Sequence, residues 1–372
     1  MRAAIERLDF WVLRAPVPHP VVNAFGVMTT RPALFVRLTS ADGAQGWGEV
    51  WCNFPPPGAE HRARLIETIF KPLAAGADSA QPAALRTMLE QRTRILALQC
   101  AEPGPFAQVI AGLDQASWDL AARRAGQSLW RYLGGSDGRV RVYASGLGPD
   151  RVVETALARR AEGFRAFKLK VGMDAAGDRA NLAALREALG TDATLMADAN
   201  QAWSYEQALE RIAELAPLAP HWIEEPLAAD QPAEVWRQLA RAARVPLAAG
   251  ENLRGEQQFA AAIEGGHLRF VQPDVGKWGG ISGCLQVARS AVAHGLAFCP
   301  HWLAGGVGLA ASLHLLAAVG GSGYAEVDAN PNPLREEVFP LRITDGWVRL
   351  PDAPGLGVEP DLARLRPYVV PV

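Results

Sequence analysis

Ionisable residues recur along the second half of the chain at a nearly constant interval. They are Lys170, Asp198, Glu224, Glu251, Asp274 and His301, with Glu326 one interval further on. The gaps between successive members are 28, 26, 27, 23, 27 and 25 residues. One strand with its crossover helix takes about that length, and roughly 250 residues build a whole eight-stranded barrel. Because each member ends a strand-like segment, the spacing predicts a parallel barrel that gathers charged side chains at one rim.

From residue 140 onwards, strand-like segments alternate with helical patterns. The strand-like segments are 140–146, 166–171, 194–199, 221–225, 246–251, 270–274, 296–301 and 324–328. Capping-type residues such as Asp150 and Ser204 open the helical patterns between them. Alternating order implies a parallel sheet. Eight strands at this spacing favour a closed, TIM-like barrel, and an open, doubly wound sheet is the alternative.

The two ends of the chain follow a different pattern. Strand-like segments at 5–13, 33–39 and 45–51 precede helical patterns at 60–75, 81–98 and 105–125. Near the C-terminus, segments 341–344 and 347–350 flank an Asp-Gly turn signal. We therefore expect an α/β protein in three parts. These are an α+β capping domain over residues 1–128, a barrel over 129–333, and a C-terminal segment over 334–372 that packs back on the cap.

Composition and charge exclude several classes of protein. The formal net charge is −2, so no basic surface suggests a nucleic-acid partner. Glu6 and Asp9 interrupt the N-terminal apolar residues, which argues against a signal peptide. No uncharged apolar stretch reaches the roughly 18 residues of a membrane span. The four cysteines are scattered without a CxxC motif, which fits a reduced compartment. We expect a cytoplasmic homo-oligomer that contacts neither nucleic acid nor membrane.

Lysine is rare in this chain, and its placement indicates proton transfer. Only four of the 37 basic residues are lysines, namely Lys71, Lys168, Lys170 and Lys277. The last three fall on the rim segments. A desolvated lysine can give up its proton at usable pH, whereas an arginine cannot. Lys168 and Lys170 share one face of their strand. Two ammonium groups that close should lower each other's pKa, so that one of them can act as a base.

Three carboxylates end consecutive strands. Asp198, Glu224 and Glu251 lie in the segments LMADAN, HWIEEP and LAAGEN. They would repel one another strongly unless a cation lay between them. Oxygen-only ligands suit Mg²⁺, whereas Zn²⁺ would favour His or Cys. Glu225 should face away from Glu224, because successive strand residues alternate. We interpret it as a surface carboxylate paired with an arginine.

Asp274 and His301 end adjacent strands, so the carboxylate can fix the imidazole tautomer and raise its basicity. A glycine-rich run, Gly305-Gly306-Val307-Gly308, follows and precedes a helical pattern. It is either an anion site at a helix N-terminus or a tight turn into the helix. The chain has no GxSxG nucleophile motif.

Taken in order, the segments FKLKVG, LMADANQAW, WIEEP, AAGEN, VQPDVGKWGG and PHW resemble the enolase superfamily, in particular its mandelate racemase group. The resemblance extends from the N-terminal sheet to the PDAPGLGVE tail. It implies a capping domain on a (β/α)7β barrel. It also implies Mg²⁺ held by Asp198, Glu224 and Glu251.

The resemblance further implies how acid–base work is divided. Lys170, assisted by Lys168, serves one face of the substrate, and Asp274 with His301 serves the other. Glu326 matches the family glutamate that hydrogen-bonds the substrate carboxylate, although its segment YAEVDANPNP is a looser match. The remaining candidates for substrate contact are Asn200, Lys277, Trp302, Phe25 and Trp51.

The substrate class is where the sequence leaves alternatives open. Two segments, 21–32 and 50–61, are candidate cap loops around the pocket, and both are rich in apolar and aromatic residues. Proton abstraction next to a carboxylate, giving an enediolate, is the expected first step on a small carboxylic acid. We rank dehydration of an acid sugar first. Racemisation or epimerisation and lactone cycloisomerisation are the alternatives. A non-catalytic binding barrel would not need the complete set of ligands and bases.

Overall fold

A computed structural model describes residues 4–24 and 26–372. The cap contains a three-stranded antiparallel sheet in the order β1-β2-β3. Its strands are β1 Ile5–Asn23, β2 Gly26–Ser40 and β3 Gln45–Val50. Segment 21–32, expected to be a loop, instead forms the end of the β1–β2 hairpin, where Val21 pairs with Met28 and Asn23 with Gly26. The loop prediction is wrong there because the β-branched residues of this segment favour a strand.

The helices of the cap pack on this sheet or on one another. They are α1 Gly58–Leu65, a π-helical turn Ile66–Phe70, α2 Lys71–Ala74, α3 Pro82–Gln99, α4 Pro103–Arg124 and α5 Leu129–Tyr132. Helix α4 lies directly on β3, because glycines leave room for its backbone. A Cβ atom on Gly48 would lie 2.0 Å from the carbonyl oxygen of Gly112. A side chain at position 48 would therefore separate the helix from the sheet.

Eight parallel strands of the described chain form the barrel. They are β4 Arg139–Leu147, β5 Ala166–Lys170, β6 Thr194–Asp198, β7 Ile223–Glu224, β8 Leu247–Ala249, β9 Phe270–Val271, β10 Ala297–Phe298 and β11 Ala325–Asp328. Neighbours pair in chain order from β4 to β10, and β11 pairs with β4. The last strand thus returns to the first. The predicted barrel is confirmed, and the open doubly wound sheet is not formed.

Helices connect the barrel strands on the outside. They are α6 Val152–Ala161, α7 Ala175–Leu189, α8 Tyr205–Leu215 with a 3₁₀ turn Ala216–Leu218, α9 Ala233–Ala242, α10 Gly255–Glu264, α11 Gly280–Ala293 and α12 Gly306–Val319. Ser204 caps α8 in a capping box with Gln207, as its sequence predicts. The N-cap of α6 is Arg151, so the predicted capping role of Asp150 is wrong. None of the described helices is long and apolar enough to cross a membrane.

The C-terminal segment contacts both the barrel and the cap. It contains α13 Pro333–Glu336, β12 Ile343–Thr344, β13 Trp347–Arg349, α14 Leu362–Leu365 and a 3₁₀ turn Arg366–Tyr368. Strand β13 pairs antiparallel with the start of β4. Further on, the Val370 N–H donates to the Val12 carbonyl of the cap sheet at 2.9 Å. The predicted domain boundaries at residues 128 and 333 stay predictions.

The barrel interior is built in layers, because residues two apart on a strand face the same way. The lowest layer is apolar and aromatic. It contains Tyr143, Ala166, Met196, Trp222, Ala248, Phe270, Ala297 and Cys299. Lys168, Glu224 and Glu326 follow two residues after Ala166, Trp222 and Tyr324, respectively. The charged side chains therefore rest on an apolar floor and face the cap.

A buried carboxylate joins the cap to the barrel. Glu49, on β3 of the cap, accepts hydrogen bonds from the Gly305 N–H at 2.6 Å and the Gly308 N–H at 2.9 Å. These amides form the N-terminus of α12, where a negative charge is favourable. The glycine run is therefore a turn into a helix that also binds a carboxyl group of this protein. Burial raises the pKa of Glu49 to about 8, although the two amides act against this shift.

We expect Glu49→Ala to lower the free energy of unfolding by about 2–3 kcal/mol, because it leaves two buried N–H groups without their acceptor. Urea unfolding followed by circular dichroism measures the change. Glu6→Ala, an exposed position on the same sheet, is the matched control and should stay within about 0.5 kcal/mol of wild type. Equal stability of the two variants would contradict this role.

Candidate active site

Lys168 lies at the centre of the charged layer. Its side chain is fully buried. Its Nζ atom lies 2.6 Å from Glu224 Oε1 and 2.7 Å from Glu326 Oε1. The same ammonium lies 3.6 Å from Asp198 Oδ2. Lys168 thus holds three carboxylates from three different strands around one positive charge.

Lys170 lies two residues further along the same strand and closer to the cap. Its Nζ atom donates to Asp198 Oδ2 at 2.6 Å. Asn200 donates its backbone N–H to Asp198 Oδ1 at 2.9 Å. The Oδ1 atom of Asn200 is buried and has no hydrogen-bond partner among the described residues. An acceptor is therefore left over beside Lys170 and Asp198.

Glu224 accepts hydrogen bonds on both carboxylate oxygens. Its Oε2 atom accepts from Trp222 Nε1 at 3.1 Å and from Gln272 Nε2 at 2.6 Å. Its Oε1 atom has Lys168 as its hydrogen-bond donor. A carboxylate offers about four lone-pair directions, so Oε1 keeps capacity for a further contact.

His301 lies between three carboxylates. Its Nδ1 atom lies 2.6 Å from Asp274 Oδ2, and its Nε2 atom lies 3.2 Å from Glu251 Oε2 and 3.5 Å from Glu326 Oε2. Because Asp274 faces Nδ1, the Nε2 atom faces the interior of the site. Burial alone would lower the pKa of His301, but Glu251, Glu326 and Asp274 raise it to about 9.

Negative charge exceeds positive charge in this cluster. Five buried carboxylates face three lysine ammonium groups and the imidazole of His301 in the described chain, so the carboxylates remain in excess by one when that ring is protonated. The carboxylates are Asp198, Glu224, Glu251, Asp274 and Glu326, and the lysines are Lys168, Lys170 and Lys277. Burial raises the pKa of Glu224 to about 7, although Lys168 acts against this shift. The cluster therefore has too few positive charges to balance its carboxylates.

The same excess of negative charge contradicts the prediction about the pKa of Lys170. The prediction that two close ammonium groups leave one of them with a lowered pKa is wrong for Lys170, although burial and Lys168 do act in that direction. Asp198, Glu326 and Glu224 together outweigh both effects, so the pKa of Lys170 is raised. A cation bound to these carboxylates would lower the pKa of Lys170 again.

The residues fit a hard divalent cation by charge and by donor type. Asp198, Glu224 and Glu251 are oxygen donors from three consecutive strands, and the cluster is short of positive charge. Each carboxylate instead binds a lysine here, Glu251 through Lys277 Nζ. Accordingly, no three potential ligands within residues 4–24 and 26–372 converge on one point. A cation would have to replace these ammonium groups.

One cavity under the cap brings the candidate bases together. Lys170, His301, Glu251, Lys277 and Asn200 line it from the barrel side. Trp51 lines it from the cap, and Lys277 Nζ lies 4.9 Å from the centre of its ring. Lys168, Asp274 and Glu326 lie beneath these residues and are buried.

One of the predicted substrate contacts is not found at this cavity. The side chain of Trp302 is buried away from it, and its Nε1–H donates to the Gly305 carbonyl at 2.8 Å. The prediction that Trp302 faces the pocket is wrong, because adjacent residues point in opposite directions and His301 takes the inward one. Phe25 lies outside the described residues.

Glu225 differs from its predicted setting. The interpretation of this residue as a surface carboxylate paired with an arginine is wrong, because it is 1% exposed and accepts hydrogen bonds from Asn252 Nδ2 at 2.9 and 3.1 Å. Its backbone has φ of 40°, outside the strand region, so the alternation rule does not apply to it. Burial and the nearby Glu251 charge raise its pKa well above the usual range.

Two family models together cover most of the chain. The mandelate racemase/muconate lactonizing enzyme N-terminal domain matches residues 8–134, and the enolase C-terminal domain-like model matches residues 151–364. The chain belongs to the enolase superfamily. Within it, the two models place the chain in the mandelate racemase/muconate lactonizing enzyme family.

Curated relatives of this enolase-superfamily protein align with three quarters or more of its length. A 3,6-anhydro-alpha-L-galactonate cycloisomerase from Streptomyces coelicolor is 33% identical over 97% of this chain and 98% of its own. A D-galactonate dehydratase from Klebsiella pneumoniae is 33% identical over 76% of this chain and 74% of its own.

Solved structures of the superfamily share the same architecture. A mandelate racemase/muconate lactonizing enzyme from Bordetella bronchiseptica is 51% identical, with a TM-score of 0.92 over 99% of both chains. A racemase from Streptomyces coelicolor, solved with bound magnesium, is 32% identical, with a TM-score of 0.89 over 98% of this chain and 100% of its own.

We expect Glu251→Gln to lower the pKa of His301 below about 9 in the magnesium-free form of this enolase-superfamily protein. Among the carboxylates that raise this pKa, Glu251 has the largest effect, so its loss destabilises the imidazolium. Histidine titration by NMR measures the shift. His314, whose pKa burial lowers to about 3, is an internal control that should not move. An unchanged His301 pKa would contradict the charge coupling.

Proposed function

We propose that this protein binds Mg²⁺ and removes the proton α to the carboxylate of a sugar acid, and that the resulting enediolate then loses water to give a 2-keto acid. The observation that carries the proposal is that Lys170 and His301 line one cavity above a buried cluster with excess carboxylates. A proton α to a carboxylate is weakly acidic, because its removal produces a doubly negative enediolate. Only concentrated positive charge makes that step feasible.

Asp198, Glu224 and Glu251 would hold the metal ion. When bound, the divalent ion would supply Lewis-acid stabilisation of the enediolate charge. The combination of Mg²⁺ with a Lys or His base is general to the enolase superfamily, so this scheme is a property of the superfamily and is not specific to this chain. The magnesium-bound racemase structure supports the same choice of metal.

Lys170 and His301 would work from different strands on the α-carbon. Lys170 Nζ takes or returns a proton on one face once Asp198 no longer holds it. His301 presents Nε2 on the other face, because Asp274 occupies Nδ1. Lys168 and Glu326 lie beneath and form an ion pair that positions the carboxylate end of the substrate.

Dehydration uses the same residues after the first proton transfer. The α-proton moves to one base, and the electron pair of the broken C–H bond forms the enediolate. A β-hydroxyl then leaves as water when the His301 imidazolium protonates it, and the enol product tautomerises to a 2-keto acid. The D-galactonate dehydratase relative supports this outcome.

Cycloisomerisation or epimerisation is the second candidate, which the cycloisomerase relative favours. Without elimination of a β-hydroxyl, the enediolate can only be reprotonated or rearrange within the substrate. A semicarbazide assay for keto acid, run beside polarimetry on a sugar-acid and lactone library, separates the outcomes. Rotation change without keto product on the best substrate would reject the dehydratase assignment.

The proposal predicts a strict metal requirement. Treatment with EDTA should abolish exchange of the α-proton for deuterium, and Mg²⁺ should restore it. Asp198→Asn should lower kcat by at least about 10²–10³-fold, the loss typical of removing one group that stabilises transition-state charge. Asp192→Asn, at an exposed position just before the same strand, should retain wild-type activity. Full activity of metal-stripped protein would refute the assignment.

The two bases should serve opposite stereochemical series. In D₂O, Lys170→Ala should lose α-proton exchange for one epimer and His301→Asn for the other, each by at least about 10²-fold. NMR of both epimers measures the exchange. Lys71→Ala and His294→Asn, at exposed positions, are matched controls. If both test variants exchange both epimers at wild-type rates, these residues are not the bases.

A further inference from the structure

A buried ion pair joins the cap to the last barrel strand at the cavity. Arg31 on β2 reaches down from the cap, and its Nη2 atom donates to Asp328 Oδ2 on β11. The two side chains are 3% and 2% exposed, and both residues line the cavity that contains Lys170 and His301. Asp328 Oδ1 accepts from the backbone and side-chain nitrogens of Asn330, each at 2.9 Å.

The position of Asp328 sets the depth of this pair. It follows Glu326 by two residues on β11, so both side chains face the barrel interior. At about 3.3 Å per residue, Asp328 lies about 6–7 Å nearer the cap than Glu326. If the substrate carboxylate binds at the level of Glu326, as the proposed function requires, the far carbons of a sugar acid reach the Arg31–Asp328 pair.

The cap side of the cavity has no net charge. Among the described residues that line it, the cap contributes one charged side chain, Arg31, and Asp328 neutralises it. The other cap residues at the cavity are uncharged. They are Val21, Asn23, Met28, Trp51, Asn53 and Phe54. Net charge at the cavity is therefore confined to the barrel side, where the candidate metal ligands and the candidate bases lie.

This arrangement suits a hydroxyl better than a second carboxylate. A second carboxylate would meet the charge of Asp328, because the single positive charge of Arg31 is already neutralised. Displacing Asp328 would leave it buried without its counterion, which is also strongly unfavourable. A hydroxyl can accept from the guanidinium and donate to the carboxylate at the same time. The Nε atom of Arg31 is buried without a partner among the described residues, so this guanidinium has a donor left over.

We propose that the Arg31–Asp328 pair binds the distal hydroxyl end of the substrate. The protein then selects sugar monoacids, or their lactones, over diacids. This inference rests on the proposed function for the location of the carboxylate. It adds the class of acid, which the catalytic residues do not determine.

The test compares aldonic acids with the aldaric acids of the same configuration. The two members of a pair differ only in the terminal carbon, which is an alcohol in one and a carboxylate in the other. For each acid, kcat/KM is measured from α-proton exchange and keto-acid formation with Mg²⁺, and Kd by calorimetry. We expect wild-type kcat/KM to favour the aldonic acid by at least about ten-fold, because the diacid buries an unpaired charge.

Two variants should move this ratio in opposite directions. Asp328→Asn frees the charge of Arg31 and should shift the ratio at least about ten-fold toward the diacid. Arg31→Met leaves the Asp328 charge unpaired and should shift the ratio further toward the monoacid. Glu60→Gln, which removes the partner of Arg14 in the cap outside the cavity, should leave the ratio unchanged. Circular dichroism checks each variant, and either of the two suffices if the other does not fold.

The outcomes separate this inference from the proposed function. Exchange on sugar acids with a wild-type preference for diacids would overturn the inference and leave the function intact. Equal losses on both acids in both variants would make the pair a structural bridge and would also overturn it. Absence of both binding and exchange for every acid with Mg²⁺ would refute the proposed function, and the inference with it.

Discussion

The shortage of positive charge at the mouth of the barrel is the constraint on which the site depends. Five buried carboxylates with three ammonium groups and the imidazolium of His301 leave one negative charge unbalanced, which is unfavourable in a medium of low polarity. The imbalance keeps Lys170 protonated and raises the pKa of His301 to about 9. Both candidate bases are therefore held in their charged forms. In the proposed function, a divalent cation that took over the carboxylates would release both bases, so metal occupancy and basicity would be coupled.

The layered interior explains how such a cluster can be buried at all. Lys168 and Lys170 stack because they are two residues apart on β5. Each has a carboxylate oxygen from another strand at 2.6 Å. The aromatic floor beneath them excludes water from below. The cap excludes it from above and is fastened by Glu49 at the N-terminus of α12. The candidate site and the attachment of the cap to the barrel thus both depend on buried carboxyl groups.

The barrel and its charged rim could be predicted from the sequence because both depend on local information. A constant interval and the residue type at each strand end are readable without knowledge of distant contacts. The errors arose elsewhere. Glu225 has a positive φ, so the alternation of side chains along a strand does not apply to it. Two contacts join residues about 250–300 positions apart, namely Glu49 with Gly305 and Arg31 with Asp328. No local sequence pattern indicates such distant partners.

The register of the β1–β2 hairpin limits how the sequences of relatives can diverge at the cavity. Val21 and Met28 line the cavity, whereas Val27, one position along, is 60% exposed. A slip of one residue in the register of a hairpin moves every side chain of the shifted strand to the opposite face. Single-residue insertions or deletions in this arm would turn the pocket wall outwards. Changes of substrate preference during evolution should therefore proceed here by point substitution or by gain and loss of residues in pairs.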